Sequence, residues 1–370
     1  MGTRLKVGIA GAGVLGRLLA WQLGRSGHAV TVFDPAPGPQ APDTGSLTHR
    51  HEYAAGFTAA GMLSPVAELD NAGPAMARLG WRSLALWREL ADALRAQGFT
   101  APLFAQHGSL LLAHGTDLGA ASRVLSRLQA ATALASELPP PQALDRTSLG
   151  ALEPAVAPGL HAWLLPDEAQ VMSRDMLQAL AVHAPNVHWC WGDRADRVEP
   201  GRITLADGEA IAFDLAIDVR GVGARSDLPL RGVRGEVIWL HAPGVPLWRP
   251  VRLLHPRHRV YIVPRPGDLF VVGASEIESE DRSPVSLRSA TELMAAAHSA
   301  LPGLAEARIV HMEANLRPAL PDNEPHTDHK PGFLRINGLF RHGWLLAPAL
   351  VQDSLAMAGL AAPFQELVHA

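Results

Sequence analysis

The stretch that decides the fold lies near the amino terminus and reads KVGIAGAGVLGRLLAWQLGRSGHAVTVFD, residues 6–34. Its parts are a short apolar strand over Leu5–Ile9, a turn with Gly11, Gly13 and Gly16, an apolar run at helical spacing from Val14 to Leu23, and a second strand from Ala29 to Phe33 that ends on Asp34. A strand, a tight turn, a helix and a strand within about 30 residues make up one βαβ unit. The stretch therefore predicts a parallel sheet with a nucleotide-binding turn.

Each glycine of this turn has a separate task. Gly11 permits the turn, Gly13 lets the backbone approach a pyrophosphate, and Gly16 lets the helix pack against the strand. The start of the helix, at Val14 and Leu15, adds free N–H groups and the positive end of the helix dipole. The aspartate that ends the second strand is placed to accept hydrogen bonds from ribose hydroxyls. The motif by itself does not separate NAD from FAD.

Composition narrows the class of protein. The chain has 370 residues, 48% of them apolar and 18% charged, which predicts a folded protein of about two domains. The formal charge of −4 provides no broad positive field for nucleic acid. The single cysteine excludes an internal disulfide framework and a zinc site of several thiolates, and it fits a cytoplasmic location. No run of about 18 apolar residues without a charge predicts a membrane span.

The rest of the chain mixes helices, strands and further glycine turns. We predict a helix over Ala75–Gln97, strands over Gly108–His114, Arg259–Arg265 and Leu269–Ser275, a meander over Trp189–Asp218, an exposed linker at Pro139–Pro141, and a closing helix with Pro348 in its first turn. Nucleotide-type glycine turns lie near the start, the middle and the end of the chain. This distribution predicts a discontinuous cofactor domain into which a substrate domain is inserted.

Six further segments carry a resemblance to a known family. They are GFTAAGMLSPVAE (56–68), RGVRGEV (231–237), YIVPR (261–265), VGASE (272–276), NLRPALPDNEP (315–325) and GLFRHGWLLAP (338–348). In this order they resemble the FAD-dependent amino-acid oxidases of the D-amino-acid oxidase family, and within it the glycine oxidases. The resemblance runs from the first strand to the last helix.

The resemblance implies both the architecture and the activity. The expected fold is mixed α/β (α+β), with a discontinuous Rossmann-like FAD-binding domain at 1–90, 150–225 and 312–370 and an inserted antiparallel-sheet substrate domain at 91–149 and 226–311. The expected reaction is oxidative deamination of glycine or a similar small amine to the imine by non-covalently bound FAD, with O2 reduced to H2O2 and the imine supplied to thiamine thiazole synthesis.

Two other activities stay open on the sequence. One is a dehydrogenase for D-amino acids or sarcosine that passes electrons to another acceptor. The other is a flavin-binding accessory protein that modifies a partner protein or RNA. The chain is also compatible with a homo-oligomer.

The resemblance also implies roles for individual residues. Arg317 would clamp the substrate carboxylate with its planar fork, Tyr261 would offer its hydroxyl to the same group, and Arg341 would lie beside flavin and substrate. Read from the residues alone, Tyr261 could equally be a core residue and Arg317 a surface residue. The expected cofactor contacts are Gly11, Gly13, Val14, Leu15, Gly16, Asp34, Thr58, Ala59, Ala60, Gly61, Met62, Arg341, His342, Gly343, Trp344, Leu345 and Leu346.

Several features depart from the family or suggest other chemistry. Asp34 stands where the family usually has Glu, and DVRGVGARSD (218–227), with Arg220, replaces a more usual alanine-rich segment. Cys190 lies far from the carboxyl-terminal motifs, so we predict a buried free thiol and no covalent flavin bond. The histidines suggestive of a metal never form an HExxH helix face, and we predict no metal site; they are His49, His51, His255, His258 and His342.

Overall fold

The glycine turn lies at one end of a central strand in a six-stranded sheet. The computed structural model describes residues 4–40, 53–255 and 259–360. In these ranges the strands are β1 (Lys6–Ala10), β2 (Ala29–Asp34), β3 (Met62–Leu63), β4 (Phe104–Ala105), β5 (Ser109–Ala113), β6 (Gln142–Leu144), β7 (His161–Leu165), β8 (Ala169–Val171), β9 (Val187–Trp191), β10 (Ala195–Glu199), β11 (Arg202–Leu205), β12 (Ala210–Ala212), β13 (Leu215–Asp218), β14 (Arg231–His241), β15 (Val251–Leu254), β16 (Arg259–Arg265), β17 (Leu269–Gly273), β18 (Arg308–Ala319), β19 (His326–Lys330) and β20 (Phe333–Asn337).

The helices of the same ranges alternate with these strands. They are α1 (Val14–Arg25), α2 (Pro65–Glu68), α3 (Pro74–Ala96), α4 (Leu118–Leu134), α5 (Arg146–Leu152), α6 (Ser173–Val182), α7 (Leu287–Ala300) and α8 (Gly343–Met357). Among them, no helix is long and apolar enough to cross a membrane. The predicted mixed α/β fold is confirmed.

The six-stranded sheet has the order β19-β20-β13-β1-β2-β9. Its strands pair in parallel except β19, which pairs antiparallel with β20. The largest core cluster contains apolar residues of β1, β2, β13 and β20 together with those of α1, α3, α6 and α8. The sheet thus collects strands from both ends of the chain, as the spread of the glycine turns predicts.

The second large sheet has eight strands in the order β18-β14-β17-β16-β15-β5-β7-β6. It is antiparallel throughout except for the parallel pair β5 and β15, and α7 shares an apolar core with it. Both β7 and β18 belong to this sheet. All of β7 and most of β18, however, fall within the predicted FAD-domain ranges 150–225 and 312–370. The domain boundaries themselves stay a prediction.

The glycine turn is tight because two of its glycines leave no room for a side chain. Gly11 has a φ of +105°, and a Cβ there would lie 2.6 Å from the carbonyl oxygen of Val219. A Cβ on Gly16 would lie 1.8 Å from the carbonyl oxygen of Gly11. Only glycine allows both this turn conformation and the close approach of α1 to the turn.

The closing helix begins earlier than the sequence predicts. α8 starts at Gly343, so Pro348 is inside the helix instead of in its first turn. Proline has no N–H to bond to the carbonyl four residues earlier, which belongs to Trp344. The indole Nε1 of Trp87 on α3 donates to that carbonyl at 2.7 Å. A partner from another helix therefore compensates for the missing bond.

The segment 56–68 contains little helix. It contains a 3-10 turn at Ala55–Phe57, then β3, and only a single helical turn in α2. Gly61 has a φ of +68°, and its carbonyl accepts from the N–H of Val171 at 2.8 Å. Pairing with β8 therefore competes with helix formation here.

Most other predicted elements lie where expected, with small shifts at their ends. α3 and the hairpin β16–β17 match the predicted ranges closely, and β10, β11 and β12 form the predicted meander. The prolines at 139–141 do not form a fully exposed linker, because Pro141 is buried.

Candidate active site

A cavity of about 1350 Å³ is lined by residues of both large sheets. The glycine turn and the start of α8 line one part of it, and residues of β14, β16 and β18 line another. The cavity is large enough for an extended cofactor and a small substrate together.

At the cofactor end, two glycines open onto free space. A Cβ on Gly13 would meet only the Cβ of Ala54, at 3.5 Å, and a Cβ on Gly343 would meet nothing within 4 Å. The backbone at both positions is thus accessible from the cavity. A pyrophosphate and the edge of a flavin ring would need such access to the backbone, and their binding here stays a prediction.

Asp34 lies at the end of β2 and lines the same cavity. Its carboxylate accepts from the backbone N–H of Ala12 at 2.6 Å and of Ala36 at 2.9 Å. Burial raises the pKa of Asp34, and these two hydrogen bonds with the charge of Arg17 oppose that effect. The aspartate therefore fixes the glycine turn, and its contact with a ribose stays a prediction.

Most of the predicted cofactor residues line the cavity. These are Gly11, Gly13, Val14, Leu15, Asp34, Thr58, Ala59, Ala60, Gly61, Met62, Arg341, His342, Gly343, Trp344 and Leu345. Gly16 and Leu346 do not line the cavity. Gly16 packs against the turn, and Leu346 of α8 is buried in the largest apolar core. Contact of any of these residues with the cofactor stays a prediction.

The start of α8 faces the cavity. The first backbone hydrogen bond within the helix runs from Leu346 N–H to the His342 carbonyl at 2.9 Å. The N–H groups of Gly343, Trp344 and Leu345 precede it, and these three residues line the cavity. The positive end of the helix dipole is therefore available to negative charge there.

A row of side chains crosses the eight-stranded sheet on the cavity side. Arg252 on β15 pairs with Tyr261 on β16, and Tyr261 pairs with Gly273 on β17. A Cβ on Gly273 would lie 2.7 Å from the Tyr261 hydroxyl, so this glycine gives the tyrosine its space. Burial raises the pKa of Tyr261, which keeps its hydroxyl protonated at neutral pH.

Arg317 on β18 extends over Gly235 of the neighbouring strand. A Cβ on Gly235 would lie 2.5 Å from the Arg317 guanidinium. The guanidinium donates to the carbonyls of Ser275 at 3.1 Å and of Arg234 at 3.4 Å. Within the described ranges, no carboxylate lies within ion-pair distance of it. Burial lowers the pKa of Arg317, but arginine keeps its charge at neutral pH.

Arg341 is held by two carboxylates that also line the cavity. Its Nε lies 3.4 Å from Glu68 Oε2, and its Nη1 lies 3.3 Å from Glu276 Oε2. Glu68, at the end of α2, also accepts from Arg252 at 3.1 and 3.2 Å. Burial would raise the pKa of Glu68, but the guanidinium charges of Arg341 and Arg252 outweigh it and lower the pKa to about 2.

His342 belongs to the same cluster. Its Nδ1 lies 3.5 Å from Glu68 Oε2. Burial lowers the pKa of His342 despite that carboxylate. The imidazole is therefore neutral at neutral pH, and it adds no positive charge to the site.

A second buried network joins the segment 56–68 to β18. Glu313 on β18 accepts from Arg174 at 2.8 Å and from the Thr58 hydroxyl at 3.3 Å. The Asn315 amide donates to that hydroxyl at 3.2 Å. Thr58 thus ties the cofactor segment to the strand that carries Arg317.

Arg220 and Cys190 have structural roles. Arg220 lines the cavity but is paired with Asp218 at 2.9 Å and with Asp227 at 2.5 Å, so the unusual segment 218–227 is closed on itself by an ion-pair network. Cys190 is half-buried on β9 against the core of the six-stranded sheet, and burial raises its pKa.

The histidines do not form a metal centre in the part of the chain that the structure describes. No group of three or more His, Cys, Asp or Glu residues there has metal-binding geometry. His255 and His342 both line the cavity, but only His342 is in the Glu68 cluster. His49, His51 and His258 lie outside the described residues.

The sequence gives no role to three residues that the structure brings to the site. These are Glu68, Arg252 and Glu276. Arg252 leaves a recognisable signal, since it interrupts the apolar strand VRLL, and an arginine in such a strand needs a partner. The partner cannot be identified from the sequence because Glu68 lies 184 positions away.

The parallel sheet, the glycine turn at its edge and the cavity beside it define a dinucleotide-binding protein. The family model described as DAO, FAD dependent oxidoreductase, matches residues 6–352. The chain therefore belongs to this family of FAD-dependent oxidoreductases, and FAD is its cofactor.

Individual relatives agree with this assignment. The chain is 36% identical over 351 residues to a putative thiamine biosynthesis oxidoreductase ThiO of Rhizobium etli, covering 94% of this chain and 95% of the relative. The crystal structure of glycine oxidase from Geobacillus kaustophilus superposes with a TM-score of 0.80 at 23% identity, covering 98% of this chain and 99% of that one. That of iminodiacetate oxidase from Chelativorans sp. BNC1 has a TM-score of 0.77 at 25% identity, covering 98% of both chains.

Proposed function

We propose that the protein oxidises glycine or a similar small amino acid to its imine, with O2 reduced to H2O2, and that the imine is used in thiamine thiazole synthesis. The observation that carries the proposal is Arg317, a charged guanidinium in the cavity that has no carboxylate partner among the described residues. Such a group is complementary to the carboxylate of an amino acid. The similarity to the ThiO protein and the glycine oxidases supports the choice of substrate.

Two side chains of the substrate end, those of Arg317 and Tyr261, would bind the substrate carboxylate. Arg317 binds the carboxylate, and the neutral Tyr261 hydroxyl donates a hydrogen bond to the same group. Both sit on the rigid face of one sheet, which holds the substrate in one orientation. FAD, when bound without a covalent link, supplies the acceptor for the hydride that leaves the substrate carbon.

The start of α8 has the complementary electrostatic role. The N–H groups of Gly343 to Leu345 and the positive end of the helix dipole would stabilise negative charge in the cofactor. Because the His342 imidazole is neutral, the backbone N–H groups would provide this stabilisation. The protein thus positions two reactants and compensates charge, and it needs no strong acid or base at the reacting carbon.

The proposal is tested with a panel of amines on the purified protein. Under anaerobic conditions, glycine should bleach the flavin absorbance, and in air the same reaction should form H2O2 in equal amount to glycine consumed. Bleaching without peroxide would instead indicate a dehydrogenase with another electron acceptor. If no carboxylated amine bleaches the flavin, the proposed function is wrong.

A further inference from the structure

The substrate end of the cavity holds more cations than one carboxylate requires. Three arginines that line the cavity act electrostatically on Tyr261, and they are Arg317, Arg252 and Arg341. Arg252 and Tyr261 are direct cross-strand partners, so their side chains share one face of the sheet. A site with three available guanidinium groups would favour substrates with two carboxylates.

Two of these arginines are already occupied by one residue. Glu68 Oε1 accepts from both terminal nitrogens of Arg252, at 3.1 and 3.2 Å, and Glu68 Oε2 lies 3.4 Å from Arg341 Nε. The Glu68 side chain is only 7% exposed, so the ion pairs are poorly screened by water. Glu276 adds a second carboxylate on Arg341, but its side chain is half exposed.

We infer that Glu68 determines the charge of the substrate, because it neutralises Arg252 and Arg341 and leaves Arg317 to bind a single carboxylate. Glu68 occupies the place that a second substrate carboxylate would otherwise take. The site then selects monocarboxylic amines against dicarboxylic amines such as iminodiacetate. The inference rests on the proposed function for the assignment of Arg317 to the first carboxylate.

The geometry makes Glu68 a specificity-determining residue and not only a structural one. A carboxylate that merely stabilised the fold could pair with arginines away from the cavity, as Glu153 does with Arg249 at 2.7 Å. Glu68, in contrast, lines the cavity and bridges two arginines that line it as well. Repulsion by an introduced like charge is a common means of rejecting a wrong ligand.

The test compares ligands that differ only in their number of carboxylates. Acetate, malonate and succinate are titrated into the FAD-loaded protein, and binding is followed by the change in flavin absorbance. The wild-type protein should prefer acetate. In Glu68→Gln the affinity for malonate or succinate relative to acetate should rise about tenfold or more, because Arg252 loses its carboxylate partner and Arg341 keeps only the half-exposed Glu276. An unchanged ratio in this variant overturns the inference.

Two further variants control for effects on folding and charge. In Glu68→Gln/Arg252→Gln one of the two released cations is removed, so the gain for the dicarboxylates should shrink to a few-fold or less. Glu153→Gln removes a buried carboxylate from an ion pair outside the cavity, and its ligand ratio should equal that of the wild type. If Glu68→Gln does not retain FAD, Arg252→Gln still decides: a gain for dicarboxylates in this variant contradicts the inference.

Measurements of kcat/KM distinguish a failure of this inference from a failure of the proposed function. The ratio of kcat/KM for iminodiacetate to that for glycine should rise in Glu68→Gln in parallel with the binding ratio. If the wild-type protein oxidises neither amine, the proposed function fails, and the acetate and malonate titrations still decide the role of Glu68. If glycine is oxidised but the ratios do not change, only the inference about Glu68 fails.

Discussion

Arg317 is the residue to which the proposed function assigns the substrate carboxylate. The strand partner Gly235 gives its guanidinium room, and two carbonyls hold it without neutralising its charge. Arg317→Ala should therefore raise KM for glycine strongly, since removal of one partner of a desolvated charged pair costs about 2–5 kcal/mol. Steady-state kinetics with glycine, together with the flavin content, measures this change.

Two comparisons make the Arg317 test specific. Arg317→Lys should recover only part of the loss, because an ammonium group cannot form the bidentate fork. An amine without a carboxylate should be much less affected than glycine. Equal losses for both amines would mean that Arg317 has a structural role.

Glu68 links the charge of the site to stability. Its folded-state pKa is lowered from 4.5 to about 2, so its contribution to the free energy of unfolding is present above pH 4.5 and is lost as the pH falls toward 2. That shift corresponds to about 3 kcal/mol at neutral pH. Urea unfolding of wild type and Glu68→Gln should thus show a difference at pH 7 that narrows at pH 3.5. A difference independent of pH would contradict the assigned ion pairs.

At the level of elements, two glycines of the turn are expected to have different roles, Gly13 in cofactor binding and Gly16 in folding. A Cβ on Gly13 meets no backbone, whereas one on Gly16 collides with the carbonyl of Gly11. Gly13→Val should therefore yield a folded protein that retains no FAD, because the side chain fills the pyrophosphate cradle. Gly16→Val should fail to fold. Circular dichroism and the ratio of flavin to protein distinguish the two results, and a fully flavinylated Gly13→Val protein would refute the assigned turn.

The hydrogen bond from Trp87 on α3 to the Trp344 carbonyl on α8 can be tested for its compensation of the N–H that Pro348 lacks. Trp87→Phe removes the indole donor and leaves the Trp344 carbonyl unpaired, which should cost about 1–3 kcal/mol. Pro348→Ala restores a backbone N–H four residues after Trp344. The double variant should therefore lose less stability than the two single changes predict together. Thermal unfolding of all four proteins measures this coupling, and strict additivity would show that the indole bond is not needed.

Local and tertiary signals explain how much of the fold and site follows from the sequence. The βαβ unit is predictable because its glycines, apolar spacing and final aspartate are all encoded within one short stretch, residues 6–34. The start of α8 is not, because its proline is tolerated only through Trp87 of a distant helix. The pairing of β3 with β8 is not predictable either, because it joins Met62 to Gln170 in a distant segment.

In the candidate site, too, residues in local motifs are predictable and residues brought together from distant segments are not. Arg317, Tyr261 and Arg341 are predicted because they lie in recognisable segments, and the structure places them around one cavity. The Glu68 cluster combines side chains from α2, β15 and the start of α8. Ion pairs between such distant segments leave no periodic pattern in the sequence.

For the whole molecule, the absence of a covalent flavin attachment is a prediction. Cys190 is half-buried on β9, packs against the core of the six-stranded sheet and does not line the cavity. Acid precipitation should therefore release all FAD into the supernatant. The folded protein should also gain thermal stability as FAD is added to the apoprotein, since the ligand binds only the folded state. Flavin that stays with the precipitated chain would overturn the prediction.

The six-stranded sheet has a consequence for synthesis on the ribosome. Its centre contains β1, which is translated long before β20 and the cavity-facing start of α8. The nascent chain therefore carries an unfinished cofactor sheet until β20 emerges, and the cavity is complete only once α8 has followed. A nonsense mutation at the start of α8 would leave the glycine turn intact and is expected to give a colourless protein.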